Sequence, residues 1–317
     1  MAGSVLAGTP YTRPVSRQIQ VVLREPEHAA ESGDNASCDN AFGAESGFAE
    51  LVKELNRMVG LEHVKRLVYE IYALLKVDEY RKRAGLLSGQ QVYHMVFKGN
   101  PGTGKTTVAR IFARMFKEMG VLKKGHLIEV ERADLVGEYI GHTAIKTREM
   151  VKKALGGVLF IDEAYSLARG GEKDFGKESI DCLVKAMEDH KDEFVLILAG
   201  YTDEMEHFLS TNPGLPSRFP IQVEFHDYTV EQLLQIVELM AQEREYTLLP
   251  HTLIKLKRHL TEEKAAMWKT FSNARYVRNV LEKAIRHQAV RLLNQYPTAP
   301  SRQELMSIRP EDLKFDR

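Results

Sequence analysis

The run Gly99-Asn100-Pro101-Gly102-Thr103-Gly104-Lys105-Thr106-Thr107 fills every defined position of the G-x-x-x-x-G-K-[ST] phosphate loop. Its glycines let backbone N–H groups converge on an anion with no Cβ in the way. A helix starting at about Gly104 would aim the positive end of its dipole at the same point. Lys105 is placed to reach the β- and γ-phosphates of a nucleotide, and the Thr106 hydroxyl to ligate Mg²⁺. A second pair of groups, Asp162 and Glu163, follows the apolar run Val158-Leu159-Phe160-Ile161. Two adjacent carboxylates suit hydrolysis, because one holds the metal while the other orients and deprotonates a water. The strand before the loop and the helix after it favour a phosphate site over a glycine turn that binds nothing, whereas the acid pair alone also reads as a charged strand end. Together in one sheet they predict a nucleotide site with Asp162 on Mg²⁺ and Glu163 as base.

Such groups must sit where strands end and helices begin, and the apolar pattern supplies both. Strands are expected at 93–98, 126–131, 157–162, 194–200 and 220–225, with helices at 105–118, 143–154 and 176–190 between the first four. Val158-Leu159-Phe160-Ile161 and Phe194-Val195-Leu196-Ile197-Leu198 are continuous apolar runs, as strands buried on both faces should be. The alternation predicts an α/β fold, an open parallel sheet with right-handed crossovers and ligands at the strands' carboxyl ends.

Upstream, Leu51, Val52, Leu55 and Met58 recur at helical spacing. A longer helix is expected from Leu61 to about Arg83, closed by Arg81-Lys82-Arg83 and capped by Gly85. Downstream of about Tyr228 the strands stop, and helical patterns at 230–246, 252–262 and 273–293 predict a separate all-helical domain. The expected organisation is a flexible segment at 1–47 with one short strand within 18–23, an α/β domain at 48–227 and a small helical domain at 228–317.

Composition narrows the function classes. The 317 residues carry 44 Lys plus Arg against 44 Asp plus Glu, so no global basic excess points to nucleic acid. Two cysteines, Cys38 and Cys182, are too few for a disulfide framework and fit a reducing compartment. Cys182 reads as a small buried hydrophobe and Trp268 as an anchor of the helical domain. No apolar run is long enough to span a membrane, and Val5-Leu6-Ala7 is too short for a secretory leader, so a cytoplasmic location is expected. The 11 histidines show no H-E-x-x-H spacing and no pairing with cysteine, so no zinc site is expected.

The phosphate loop, Phe160-Ile161-Asp162-Glu163-Ala164, Asn212-Pro213-Gly214 with Ser217-Arg218-Phe219, and Asn273-Ala274-Arg275 together resemble the AAA+ ATPases. The segments Glu131 to Ala144 and Ser166 to Glu178 are similar to the group holding stage V sporulation protein K and the red-type rubisco activases, nearer to the former. The resemblance spans about 48–295. It implies a P-loop AAA+ domain followed by a helical lid, with ATP and Mg²⁺ as cofactors. It further implies a homo-oligomeric ring, a hexamer in the family, that hydrolyses ATP to remodel or thread a protein substrate, with spore formation as the setting. Arg218 matches the arginine finger that reaches a neighbouring subunit's ATP, and Arg275 the sensor-2 arginine that couples the γ-phosphate to the lid. Tyr139, between Gly137 and Gly141, matches the pore-loop aromatic, and residues 169–176 a second pore-facing loop. The family's polar sensor-1 residue has no clear match, with Tyr201 or Thr202 falling at its place. Two other readings stand beside this one. A nucleic-acid motor or loader is opposed by the zero net charge and the aromatic at 139. A nucleotide-gated scaffold with little turnover is opposed by Glu163.

Overall fold

In a computed structural model of the chain the described residues are 21–22, 46–87, 89, 91–139, 141–169, 175–267 and 271–315. Residues 1–20 and 23–45, Trp268 and most of the 169–176 loop lie outside them. The chain enters as β1 (Val21–Val22), then α1 (Ser46–Arg57) and α2 (Glu62–Arg83). Between these helices Gly60 and Leu61 both adopt left-handed backbone, φ 65° and 61°, which turns the chain sharply. There follow β2 (Met95–Gly99), α3 (Lys105–Glu118), β3 (Leu127–Val130), α4 (Arg132–Leu135), α5 (His142–Ala154) and β4 (Val158–Ile161). A 3₁₀ turn at Ala164–Ala168 leads to α6 (Gly176–Asp189), β5 (Val195–Gly200), α7 (Thr202–Thr211), α8 (Leu215–Arg218) and β6 (Ile221–Phe225).

The six strands form one parallel sheet in the order β1-β6-β2-β5-β4-β3. Met95 pairs with Ile221 on one side and Ile197 on the other, so the strand carrying the phosphate loop is interior. Val158, Phe160, Ile197 and Phe97 point into the core packed by α1, α2 and α3. Their neighbours Leu159, Ile161, Leu196 and Val96 point into the opposite core with α5, α6 and α7. Both faces are covered, which is why these strands lack the polar alternation of a half-exposed sheet. The short β1 pairs Val21 with Ile221, placing part of the expected N-terminal strand at the sheet's edge.

Beyond β6 come α9 (Val230–Gln242), β7 (Thr247–Leu248), α10 (Pro250–Ala266), α11 (Asn273–Gln295), α12 (Arg302–Met306) and β8 (Ser307–Ile308). This part is helical, save for one parallel pair in which Thr247 faces Ser307 and Leu248 faces Ile308. Two residues per strand are too few to leave a periodic signal, so the pair departs from the all-helical expectation. Helix α9 stops before 246 because Glu245 takes φ 61°, a left-handed turn that feeds β7. Helix α10 starts earlier than expected, at Pro250, whose fixed φ suits the first helical turn. Cys182 is half-buried rather than buried, and burial pushes its thiol pKa up. Among the described residues no helix is long and apolar enough to cross a membrane.

Candidate functional site

Four chain segments converge on one cavity of about 260 Å³ at the carboxyl ends of the strands. From β2 and its loop come Gly99, Pro101, Gly102, Gly104, Lys105, Thr106 and Thr107. From the end of β4 come Asp162 and Glu163, from the end of β5 Gly200 and Tyr201, and from α11 Ala274, Arg275 and Arg278. A parallel sheet makes this convergence, because every strand delivers its C-terminus to the same edge.

Two glycines of the loop are required by space as well as by conformation. A Cβ on Gly99 would stand 2.3 Å from the Phe225 carbonyl oxygen, and one on Gly102 would stand 2.3 Å from that of Ser272. Gly102 has φ 71°, and the backbone of the lid helix passes directly against it. The Lys105 ammonium donates to the carbonyl oxygens of Gly99 and Asn100, both at 2.8 Å. Burial draws its pKa down to about 8, with Arg275 acting in the same direction and Asp162 and Asp227 opposing. Thr103 is buried and donates its hydroxyl to Asn100 O at 2.8 Å, so it shapes the loop from behind the cavity.

Glu163 sits at φ 48° and ψ 44°, a left-handed conformation that is costly for a side chain with a Cβ. Its N–H donates to Asp162 Oδ1 at 3.0 Å, and the Asp162 N–H donates to Val130 O at 3.1 Å. Strain held in this way at a cleft residue marks a position over-determined by its surroundings. Tyr201 lines the cavity, whereas Thr202 opens α7 and does not. Tyr165 packs behind Tyr201, ring centroids 6.1 Å apart, and fills the space left by Gly200.

Arg218 and Tyr139 do not join this cavity. Arg218 closes α8, where it donates to Gly214 O at 2.9 Å and pairs with Glu188 of α6. Tyr139 is 66% exposed, its ring edge-on to His142 at 5.4 Å, with Gly141 beside it at φ 82°.

Asp227 and Tyr228 carry no site signal in the sequence, and they join two segments that do, the phosphate loop and the Asn273-Ala274-Arg275 run. Asp227 accepts hydrogen bonds from Asn100 Nδ2, 3.1 Å to each oxygen, and from Asn273 Nδ2 at 2.7 Å. Asn273 is fully buried at φ 46°; its Oδ1 accepts from Tyr228 N–H at 3.1 Å and its Nδ2 reaches Pro101 O at 3.4 Å. The Tyr228 hydroxyl donates to Thr103 O at 3.0 Å, and the Ala274 N–H to Gly102 O at 3.1 Å. These bonds fasten the phosphate loop to the first turn of α11. The partners lie far apart in the chain, so only the Asn-Ala-Arg run could have pointed to them.

A phosphate loop, a following acid pair at a neighbouring strand end and a helical lid on the same cavity define a P-loop ATPase of the AAA class. Comparison with known proteins agrees: residues 95–227 match the ATPase family associated with various cellular activities (AAA), and residues 229–317 match the AAA lid domain. Stage V sporulation protein K of Bacillus subtilis (strain 168) is 60% identical over 269 residues, 84% of this chain and 82% of that protein. The chloroplastic ribulose bisphosphate carboxylase/oxygenase activase of Cyanidioschyzon merolae (strain NIES-3377 / 10D) is 46% identical over 274 residues, 84% of this chain and 92% of that one. Among solved structures, the AAA domain of FIGL-1 in complex with ADP superposes with a TM-score of 0.55 at 18% identity, over 84% of this chain and 82% of that chain. The chain belongs to the AAA ATPase family, in the group of stage V sporulation protein K and the rubisco activases, and it is an ATPase.

Proposed function

We propose that this ATPase works in the cytoplasm as a homo-oligomeric ring, a hexamer, whose active sites are completed between subunits. It spends ATP on threading or remodelling a protein substrate during spore formation. Within one subunit, the loop's N–H groups and Lys105 neutralise the β- and γ-phosphates. Thr106 and Asp162 offer the hydroxyl and carboxylate oxygens that suit Mg²⁺, which when bound supplies further charge neutralisation. Glu163 takes a proton from water as the water oxygen attacks the γ-phosphorus and the bond to the ADP oxygen breaks. Arg275 senses the γ-phosphate from the lid, and Tyr201 orients the water from the end of β5.

One observation carries the shared-site reading: Arg218 is absent from the lining of its own chain's cavity and is held by Glu188 and Gly214 on a neighbouring part of the surface. An always-charged planar guanidinium suits a transferring phosphoryl group, and from there it serves a second chain. The exposed Tyr139 ring supports a substrate contact that grips apolar side chains without reading sequence. Likeness to a sporulation protein supports the biological setting, and likeness to a rubisco activase supports a protein substrate. ATPase activity per chain, measured across a dilution series, tests the ring: a steep rise with concentration is expected. A rate per chain that stays flat into the nanomolar range and below, with monomers in sedimentation, contradicts it.

A further inference from the structure

Glu163 is gripped from both sides by one short stretch of chain, the turn from β3 into α4. On its N-terminal side the Asp162 N–H donates to Val130 O at 3.1 Å. On its C-terminal side the Arg132 guanidinium donates to Ser166 O, and the Ser166 N–H donates to Glu163 O at 2.8 Å. The Arg169 N–H reaches the same Ser166 carbonyl at 3.3 Å, closing the 3₁₀ turn that Glu163 opens.

The clamp is itself anchored. Val130 is in register with Ile161 in the sheet, and the Glu131 N–H donates to Asp134 Oδ2 at 2.9 Å, which fixes the first turn of α4. Arg132 is half-buried, in a slot with no space to spare: a Cβ on Gly176 would stand 3.0 Å from Arg132 Nη1 and 2.0 Å from Leu167 O. Ala164, Tyr165 and Leu167 of the turn are buried, so the turn packs as a unit. Left-handed backbone at a residue with a Cβ persists only where its surroundings over-determine it. Here the sheet supplies one restraint and a charged side chain supplies the other. A guanidinium on a carbonyl oxygen is a charge-assisted bond, roughly twice as strong as a neutral one.

We infer that Arg132 is a positioning residue for hydrolysis: by holding Ser166 O it keeps Glu163 in its left-handed conformation, with the side chain lining the nucleotide cavity. Arg132 does not itself line that cavity. It acts through Glu163, so the inference rests on the reading of Glu163 as the base. A base misplaced by about 1 Å can lose about a hundredfold in rate while nucleotide binding is unaffected.

Turnover and nucleotide affinity are measured on the full chain for the unaltered protein, Arg132→Ala, Arg132→Lys and Glu163→Gln. In Arg132→Ala, kcat should fall about tenfold to a hundredfold, with KM for ATP and affinity for Mg-ADP held within about twofold. Arg132→Lys, which keeps the charge but not the planar fork, should fall between. Guanidinium ion added at millimolar concentration, far below denaturing levels, should restore part of the Arg132→Ala turnover, which a merely weakened fold would not allow. A second arm is independent of the chemistry. Glu163→Gly should gain less stability in denaturant unfolding in the Arg132→Ala background than in the unaltered protein, because the strain it relieves has already been released. Unchanged kcat in Arg132→Ala beside a silent Glu163→Gln would overturn the inference and leave the base standing. Turnover retained in Glu163→Gln would overturn the reading of the base instead, and an undiminished gain from Glu163→Gly would overturn the clamp.

Discussion

Asn273 donates to Asp227 across 2.7 Å, and Asn100 of the phosphate loop donates to both oxygens of the same carboxylate at 3.1 Å. One side chain at the junction of the two domains thus holds the loop and the lid helix together. The bridge joins the phosphate loop to the first turn of α11, two residues from Arg275.

Removing that carboxylate should be costly. Asp227→Ala leaves the amide of the fully buried Asn273 with weaker partners and that of Asn100 with none in the bridge, for an expected loss of about 2–3 kcal/mol in urea unfolding. Asp227→Asn retains one acceptor oxygen for two amides and should lose less. A change within about 0.5 kcal/mol for the Ala variant would show the bridge to be incidental.

Glu163 holds a strained backbone at the edge of the cavity, and the proposed role as base makes that strain testable. Its φ of 48° costs about 1–2 kcal/mol for an L side chain, of which glycine's greater freedom in the unfolded chain returns about 0.5–1. Glu163→Gly should therefore be more stable in denaturant unfolding by about 0–1.5 kcal/mol. Its turnover should fall by about 10²–10⁴ with the loss of the base. Retained hydrolysis, or a clearly less stable protein, would contradict the reading.

His94 should make the fold acid-sensitive. The ring is 2% exposed, its Nδ1 accepts the Leu196 N–H at 2.9 Å, and its Nε2 meets no hydrogen-bond partner among the described residues. Burial lowers its pKa to about 4, so the native state disfavours the proton that the unfolded state takes up near 6.5. The unfolded chain binds more protons between these values, so stability rises with pH there. It is complete above about 6.5 and falls on acidification to 4 by about 3 kcal/mol, at 1.36 kcal/mol per pK unit. Unfolding titrations from pH 7 to 4 should show this slope, and His94→Asn, which keeps an acceptor for Leu196 N–H but cannot titrate, should flatten it. An unchanged slope in that variant would assign the acid sensitivity elsewhere.

What the sequence made legible is what depends on local spacing. The phosphate loop, the acids after β4, the parallel alternation and the long helices all follow from residues close together in the chain. Contacts between distant segments do not. Asn100 and Asp227 meet across the whole α/β domain, and no pattern at either end encodes the pairing. The same holds for Tyr228 donating to Thr103. Strand order was likewise hidden, since alternation fixes parallel pairing but not that β2 lies between β6 and β5. The two-residue strands β7 and β8 are shorter than any period that could announce them.

The central claim is that one chain supplies Glu163 and another supplies Arg218 to each active site. Arg218→Ala should lower turnover by about 10³–10⁵ while leaving nucleotide affinity nearly intact, and Glu163→Gln should also be inactive. Mixing the two inactive proteins in equal amounts is the direct measurement. In a head-to-tail ring of randomly mixed chains, about one interface in four pairs an intact Glu163 with an intact Arg218. The mixture should then recover about that fraction of the unaltered activity, and each variant alone should stay silent. A mixture as inactive as its components, although mass measurement shows mixed assemblies, would contradict the shared site.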